Sequence, residues 1–288
     1  MSIVSRLCDT SLGRWTHTEW RPDRGHPLEW AVERIWDFEG MAAAPQERMF
    51  PNGMVELIVQ LDDRYQDVHP AGPVATPAVC VTGVHSRALM IRAPRRPCRV
   101  LGVRLYPAAA WALLVHPLSE LADVTADLDD LLGRGAAELG DRCHQAGAGR
   151  ERVRQVLLWL DGRLRRPDGS SRPHPAVQRF TRCIAAAGGA RPVRPLGAGS
   201  GLSETRLVTL FRQQVGVTPK RYARILRFDR ALRLLSLEGA SLARVAAAAG
   251  YYDQPHMNAE FRDVAGLTPG EFLRAMRFPG SLSLPEPA

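Results

Sequence analysis

The sequence predicts an α+β protein: a strand-rich N-terminal domain with helices, followed by an all-α domain of two helix-turn-helix units joined by a linker helix. Three observations predict this. Short β-branched runs separated by prolines fill residues 13–106, helical periodicity begins at Pro107, and one block of residues occurs twice near the C-terminus. With 288 residues, the chain is long enough for two domains, each with its own core.

The first half contains two strong strand candidates. Residues 55–61 are a β-branched run after a Pro-Asn-Gly turn signal, and residues 99–105 alternate in the same way. Residues 30–38, 79–84 and 88–93 are weaker candidates. Because prolines interrupt the remainder, we expect a small antiparallel sheet or partial barrel.

Helical patterns follow Pro107, over residues 108–115 and over the leucine-rich, acidic stretch 118–132. The clearest amphipathic helix spans residues 151–166, with Arg152 and the other arginines assigned to its polar faces. We expect its apolar stripe to pack within its own domain rather than against a second copy of the chain. A homodimer contact is the alternative. The stripe consists of Val153, Val156, Leu157, Leu160 and Leu164.

A proline- and glycine-containing stretch, residues 167–175, holds no apolar residue and is predicted to link the domains. The N-terminal domain then covers residues 1–166, and the C-terminal domain covers residues 176–278. Residues 279–288 are expected to form a disordered tail.

The repeated block comprises residues 201–219 and 250–269. From Thr205 onward, equivalent positions are 50 residues apart, so that Phe211 corresponds to Phe261. In each copy a glycine turn precedes a helix with core positions three and four residues apart, which is the pattern of a helix-turn-helix. Two copies of one binding unit indicate a ligand with a repeating surface.

The excess positive charge lies entirely in the half with the repeat. Residues 170–288 contain 17 Lys and Arg against 8 Asp and Glu, a net charge of +9, whereas residues 1–169 contain 21 and 22, a net charge of −1. Basic surfaces often only keep a protein in solution. They are also the electrostatic footprint of a nucleic-acid-binding domain.

Threonine and proline open the helix that follows each copy. Thr218-Pro219 supplies an N-cap and a first-turn proline, and Thr268 forms a capping box with Glu271. The linker helix, residues 219–237, would be roughly 28 Å long at ~1.5 Å per residue. Since successive major-groove openings on one face of B-DNA are ~34 Å apart, one chain would place two recognition helices in adjacent grooves.

These motifs resemble the AraC/XylS family of bacterial transcription regulators over the C-terminal third of the chain. The resemblance implies a pair of helix-turn-helix units that binds double-stranded promoter DNA, and an N-terminal domain that senses a small-molecule effector or dimerises. Residues 50–57 and 102–107 resemble an uncharacterised N-terminal domain fused to such DNA-binding domains. The motifs are Gly201-Leu202-Ser203, Phe211-Arg212, Gly216-Val217-Thr218-Pro219, Gly250-Tyr251-Tyr252-Asp253-Gln254, Phe261-Arg262 and Gly266-Leu267-Thr268-Pro269.

The resemblance also assigns DNA-contacting residues. Amides at the second helix would read adenine edges, and one arginine on each helix would reach guanine or a phosphate. Arg206 and His256 would contact phosphates, with a capping or core role for His256 weighing equally. The first helix presents Thr205, Val208, Thr209 and Arg212, and the second presents Gln254, Pro255, Asn258, Ala259 and Arg262.

Three features depart from the family pattern. Thr209 and Ala259 stand where arginine is common, and Met257 stands where phenylalanine is common. Residues 192–200 contain prolines and glycines, whereas their counterpart 242–249 is alanine-rich. Because glycine and proline disfavour helix, we expect a short or frayed first support helix.

No catalytic signature is present in the first half. Its histidines and carboxylates show no His-x-x-x-His, Gly-x-Ser-x-Gly, P-loop or dinucleotide motif, and the five cysteines lack metal-ligand spacing. We therefore expect no enzyme, cofactor or metal, and reduced, mostly buried thiols. The alternative is an enzyme domain tethered to DNA.

The start of the chain lacks the apolar core of a signal peptide, and no run approaches the ~18 apolar residues of a bilayer span. A cytoplasmic protein with no membrane partner is therefore expected. The first half is rich in tryptophan, which suits a core or an apolar pocket, and core is the simpler interpretation. These tryptophans are Trp15, Trp20, Trp30, Trp36 and Trp111.

Overall fold

A computed structural model describes residues 3–10, 13–42, 44–165, 172–190, 201–237 and 241–276. Its N-terminal half contains two antiparallel sheets, one with the strand order β1-β2-β3-β10-β5-β8-β11 and one with the order β4-β9-β6-β7. The strands are β1 (Ile3–Thr10), β2 (Gly13–Trp20), β3 (Val32–Gly40), β4 (Gln46–Met49), β5 (Val55–Gln60), β6 (Gln66–His69), β7 (Gly72–Ala75), β8 (Val79–Thr82), β9 (Leu89–Arg92), β10 (Cys98–Leu105) and β11 (Thr125–Asp127).

Helices occupy the rest, and the predicted α+β class is confirmed. Four of them belong to the N-terminal half and six to the C-terminal half, within the described part of the chain. They are α1 (Pro107–Leu114), α2 (Asp129–Leu132), α3 (Arg134–Gln145), α4 (Gly149–Leu164), α5 (Pro175–Ala186), α6 (Glu204–Val215), α7 (Pro219–Leu235), α8 (Leu242–Ala249), α9 (Gln254–Ala265) and α10 (Pro269–Met276), with a short 3-10 helix at Leu118–Glu120.

The two faces of the larger sheet pack against different parts of the protein, because successive side chains of a strand point to opposite sides. On one face, Ile35, Leu57 and Val103 are fully buried in a core that they share with α1, α3 and α4. On the other face, alternate residues such as Trp36 and Ile58 turn towards the smaller sheet. A cavity of about 390 Å³ lies between the two sheets.

The strong strand predictions are confirmed as β5 and β10, and the weaker ones as β3, β8 and β9. The helical prediction for residues 118–132 is wrong in its middle, where β11 pairs with the edge of β8. Leucine periodicity does not reveal a pairing with a distant strand. The terminal strand β1, which pairs with β2, was not predicted either.

Arg152 contradicts its assignment to a polar face of α4. Its side chain is fully buried, with Nε 2.6 Å from Asp37 Oδ2 and Nη2 2.7 Å from Glu39 Oε2. Burial opposes the charge, but the hydrogen bonds that Arg152 donates to the two carboxylates raise its pKa above the ordinary value. The apolar stripe of α4 lies in the domain core, as the sequence favoured, and is not available for a dimer contact.

The tryptophans lie in the core, in the cavity wall and at the surface. Trp20 is buried in the core, Trp15 and Trp36 line the cavity, and Trp30 is 48% exposed. Three cysteines, Cys80, Cys98 and Cys143, are buried and free, whereas Cys183 is free and exposed.

Both halves of the chain contribute to the main core cluster, and Phe50 of the N-terminal half packs against a second cluster formed by α7 to α10. Phe50, from the loop after β4, packs on Phe228 of α7 and on Phe272 of α10. The distances between ring centroids are 6.1 Å and 5.7 Å, respectively. Gly53 has φ +77°, and an added Cβ there would lie 2.8 Å from Leu226 Cδ2. The loop therefore needs glycine both for its backbone conformation and for its close approach to α7.

Three predictions fall outside the described residues: most of the linker, the frayed helix over residues 193–199, and the tail 279–288. Among the helices that are described, none is both long and apolar enough to cross a bilayer.

Candidate nucleic-acid interface

Helices α6 and α9 are equivalent in length and lie 50 residues apart. Each begins at a side chain that caps it: Ser203 Oγ accepts from the Arg206 amide (3.3 Å), and Asp253 Oδ1 accepts from the His256 amide (2.8 Å). Such caps satisfy amides that have no partner inside the helix. The sequence repeat is therefore also a repeat of local structure.

The turns that end the two helices are equivalent as well. Gly216 and Gly266 have positive φ values of 101° and 71°, which favour glycine. Thr218 caps α7, and Thr268 forms the predicted capping box, accepting from the Glu271 amide (3.2 Å) while its own amide donates to Glu271 Oε2 (2.6 Å). The hydrogen bond that the Thr268 amide donates to the Glu271 carboxylate lowers the pKa of Glu271.

One face of each helix is fixed in the core by a phenylalanine. Phe211 packs edge-on against Phe180 at 5.4 Å between ring centroids, and Phe261 lies 4.7 Å from Phe228. Met257, where phenylalanine was expected from the family pattern, is fully buried. The opposite face of each helix is consequently turned to solvent.

The five predicted contact residues on α6 are all exposed, and they are Thr205, Arg206, Val208, Thr209 and Arg212. Thr209 Oγ1 donates to the Thr205 carbonyl at 2.9 Å, so its hydroxyl hydrogen is engaged within the helix. Its oxygen can still accept a hydrogen bond from a ligand.

On α9, Pro255, His256 and Arg262 are exposed, whereas Gln254 and Asn258 are half-buried. His256 is neither the N-cap nor a core residue, and its ring meets Tyr251 edge-on at 5.4 Å. Asn258 Oδ1 is shielded from solvent and has no hydrogen-bond partner within the described residues. This amide therefore has hydrogen-bonding capacity that the described protein groups do not use.

The second unit has both helices of a helix-turn-helix, α8 and α9, in the described structure. For the first unit only α6 is described, because the segment before it falls in residues 191–200. The structure thus shows two equivalent helices, α6 and α9, and one complete helix pair.

A wide cleft of about 1680 Å³ runs between α6 and α9, with α7 as its floor. Its basic lining residues come from all three helices, and α7 contributes most of them. They are Arg212, Lys220, Arg221, Arg224, Arg227 and His256.

Ion pairs decide which of these cations is available to a ligand. Arg227 Nη2 lies 2.6 Å from Glu260 Oε2, and Arg224 Nε lies 3.2 Å from the same atom. Arg224 also binds Asp263, and that hydrogen bond lowers the pKa of Asp263 below its ordinary value. Lys220 and Arg221, which are exposed, are not in any ion pair among the described residues.

Lys220 and Arg221 were missed as site residues. The available signal was their place directly after Thr218-Pro219, in the first turn of the helix that joins the two units. Helical periodicity alone could not separate them from Arg224 and Arg227, because the carboxylates that engage those two residues belong to α9.

The N-terminal domain contacts the C-terminal ends of both α6 and α9. At α9, Arg48 Nη1 donates to the Ala265 carbonyl and the Ala88 amide donates to the Val264 carbonyl, both at 2.7 Å. At α6, an added Cβ on Gly216 would lie 3.1 Å from the Leu118 carbonyl oxygen.

Two family models match separate parts of the chain. A helix-turn-helix domain family matches residues 196–275, and a domain of unknown function (DUF6597) matches residues 22–127. No curated protein sequence matches the chain.

Similar solved structures cover either the C-terminal region or most of the chain. An AraC-type transcriptional regulator from Chromobacterium violaceum is 29% identical over 37% of this chain and 96% of its own, with a TM-score of 0.33. The DNA-binding domain of AdpA, in complex with a target DNA, is 23% identical over 37% and 98%, with a TM-score of 0.34. ToxT from Vibrio cholerae O395 is 10% identical over 82% and 98%, with a TM-score of 0.45.

The two family matches show that the chain carries a helix-turn-helix domain in its C-terminal third and a domain of unknown function (DUF6597) in its N-terminal half.

Proposed function

We propose that the protein is a sequence-specific regulator whose two helix-turn-helix units read adjacent major grooves of promoter DNA, and whose N-terminal domain modulates that binding. Because its ligand would be promoter DNA, we place the protein in the cytoplasm.

The repeat of α6 and α9 about α7 supports the two-groove arrangement. Helix α7 has 17 residues, about 25 Å at ~1.5 Å per residue, which is somewhat below the ~34 Å groove repeat. Lys220 and Arg221, in the cleft between α6 and α9, are placed to meet the intervening phosphates.

One observation carries the proposed modulation: the N-terminal domain holds the C-terminal ends of both recognition helices. A change in its shape would therefore change the position of α6 relative to α9. Two helices that enter adjacent grooves must keep a fixed spacing and orientation, so such a change would alter affinity for the paired site more than affinity for a single half-site.

Selection of bound sequences by the full-length protein tests the two-groove arrangement. We expect two unlike half-sites about 10 base pairs apart, because the reading residues of α6 and α9 differ. Recovery of a single half-site would contradict the proposal.

The residue assignment is tested with Arg212→Ala and Arg262→Ala. If each arginine binds a guanine edge, each substitution should cost about 1–3 kcal/mol and relax specificity at one position; if each binds a phosphate, it should lower the salt slope by about one. Arg154→Ala on α4, whose side chain is 61% exposed, is the matched control and should change neither quantity. Unchanged affinity and salt slope for both test variants would remove these residues from the interface.

The tethered-enzyme alternative makes a different prediction. It requires turnover of a small molecule that is lost when the cavity histidines His17 and His85 are replaced, with DNA binding unaffected. Within the described residues there is no group of three or more His, Cys, Asp or Glu arranged to hold a metal ion.

A further inference from the structure

The cavity of the N-terminal domain is built as a ligand site with two chemically different walls. One wall is the inner face of the larger sheet, and the other is the inner face of the smaller sheet. Its volume of about 390 Å³ is within the ordinary range for a small-molecule pocket. Phe50, Pro51 and Asn52 close one end, and the same loop packs against α7 and α10.

Aromatic side chains form the first wall. Trp36 and Phe38 project from β3, and Trp15 projects from β2. The indole of Trp36 lies over Gly102 of β10, where an added Cβ would be only 2.2 Å from its ring. The missing side chain at position 102 thus lets Trp36 lie along the sheet and present its surface to the cavity.

Two carboxylates without partners stand in the second wall. Glu47 of β4 and Asp67 of β6 both pair in register with Ile91 of β9, so the three side chains share one face of the sheet. That face lines the cavity. Asp67 is only 8% exposed, and neither carboxylate has a hydrogen bond or ion pair to another described residue. Burial raises the pKa of Glu47, because desolvation disfavours a charged carboxylate that has no counter-ion.

The cations that line the same cavity are matched by other carboxylates. Arg104 Nε lies 2.6 Å from Glu56 Oε1. Arg34 forms looser ion pairs, with Nε 3.4 Å from Glu33 Oε2 and Nη1 3.9 Å from Glu19 Oε2, and its Nε makes no hydrogen bond within the described residues. Burial lowers the pKa of His85, which favours its neutral form. The negative charge that lacks a partner is therefore at Glu47 and Asp67. An unpaired buried charge is unfavourable until an opposite charge arrives.

We propose that this cavity binds a hydrophobic organic cation, whose ammonium group lies at the Glu47 and Asp67 carboxylates while its apolar body packs on Trp36 and Phe38. Aromatic faces add to the attraction because their quadrupoles favour cations. The proposal names an effector class for the N-terminal domain, and in that respect it rests on the proposed function.

The strand that carries Glu47 also connects the cavity to the DNA-binding helices. Glu47 faces the cavity, whereas the next residue, Arg48, points to the opposite side and donates to the Ala265 carbonyl at the end of α9. A cation that draws Glu47 inward would act on the same short strand that holds the second recognition helix.

Three probes of equal shape test the ligand class on the full-length protein: phenylbutylamine, phenylbutanol and phenylbutyrate, which are cationic, neutral and anionic at neutral pH. We expect calorimetry to show saturable binding of the amine, at least about tenfold tighter than that of the alcohol, with the carboxylate weakest. Equal or tighter binding of the alcohol or the carboxylate, or no saturable binding of the amine, would overturn the proposal.

Two variants locate the charge. Glu47→Gln and Asp67→Asn should each weaken the amine about tenfold and leave the alcohol unchanged, and the exposed Asp63→Asn is the control that should change neither. Thermal unfolding guards against misfolding, because removing an unpaired buried charge should not lower the unfolding temperature. Folded variants that bind the amine as tightly as the wild type would refute the site.

DNA binding is measured separately, so that the two proposals can fail independently. If the amine binds at Glu47 and Asp67 but leaves DNA affinity unchanged, the ligand class stands and the proposed modulation is wrong. If the amine does not bind while the protein still selects a paired DNA site, the ligand class is wrong and the DNA-binding function stands.

Discussion

The contact between Arg48 and the end of α9 yields a quantitative prediction for Arg48→Met. Arg48 is 7% exposed, its Nη1 donates to the Ala265 carbonyl at 2.7 Å, and its Nε lies 3.3 Å from Met90 Sδ. Burial lowers the pKa of Arg48, so part of the gain from the hydrogen bond is offset by desolvation of the charge. Methionine keeps much of the apolar stem and removes only the charged donor.

A hydrogen bond from a charged group contributes about 1.5–3 kcal/mol, so we expect Arg48→Met to cost about 2 kcal/mol of docking free energy at α9. At ~1.4 kcal/mol per factor of ten, this raises the open population of the contact by roughly 30-fold. The adjacent Ala88 amide, which donates to the Val264 carbonyl at 2.7 Å, reports that opening directly through its hydrogen exchange.

Native-state amide exchange followed by NMR is the measurement. The Ala88 amide should exchange roughly 30-fold faster in Arg48→Met, while the amide of Leu101, in the central strand β10, should be unchanged. Arg87→Ala is the matched control, because its ion pair with Asp263 joins side chains that are 71% and 42% exposed and should contribute less than about 1 kcal/mol. If Ala88 stays as protected in Arg48→Met as in the wild type, the N-terminal domain does not hold α9 through Arg48.

Three further predictions concern stability. Arg152→Ala should destabilise the fold by about 3–5 kcal/mol in urea unfolding, because it leaves the Asp37 carboxylate buried without its partner. The double change Arg152→Met with Asp37→Leu should recover most of that loss. Equal losses for both variants would contradict the ion-pair argument. Burial raises the pKa of Asp229 from 3.8 to about 6, so Asp229 binds its proton more tightly in the folded state than in the unfolded state. The stability that this tighter binding contributes is present below pH ~4 and is lost as the pH rises through 6. Asp229→Asn should therefore be more stable than the wild type by up to about 3 kcal/mol at neutral pH and no more stable at pH ~4, and a difference independent of pH would refute this. Gly102→Ala should lower the free energy of unfolding by about 1–3 kcal/mol, because the added methyl group overlaps with Trp36. That loss should disappear when Trp36 is also replaced by alanine. Additive losses in the double variant would show that the overlap is relieved elsewhere.

Much of the C-terminal half followed from local sequence. The 50-residue offset between Phe211 and Phe261, the capping threonines and the glycine turns predicted two equivalent helices with one buried and one exposed face each, and α6 and α9 have those properties. Such signals are read within a single turn or helix, because capping and periodicity depend only on near neighbours along the chain. The exposure of Thr205, Val208, Thr209 and Arg212 followed from the same periodicity.

Only the tertiary structure decided which charges are free and which are used. Arg152 appeared to belong to a polar helix face but is buried against carboxylates on β3, and Arg224 and Arg227 are engaged by carboxylates of α9, which leaves Lys220 and Arg221 for a ligand. Likewise, nothing in their own sequence neighbourhoods brings Glu47 and Asp67 together; strand register across Ile91 does. The helix caps and apolar faces of α6 and α9 are local properties and were determined by the sequence alone, whereas ion pairing and cavity formation depend on partners many residues away and were settled only by the fold.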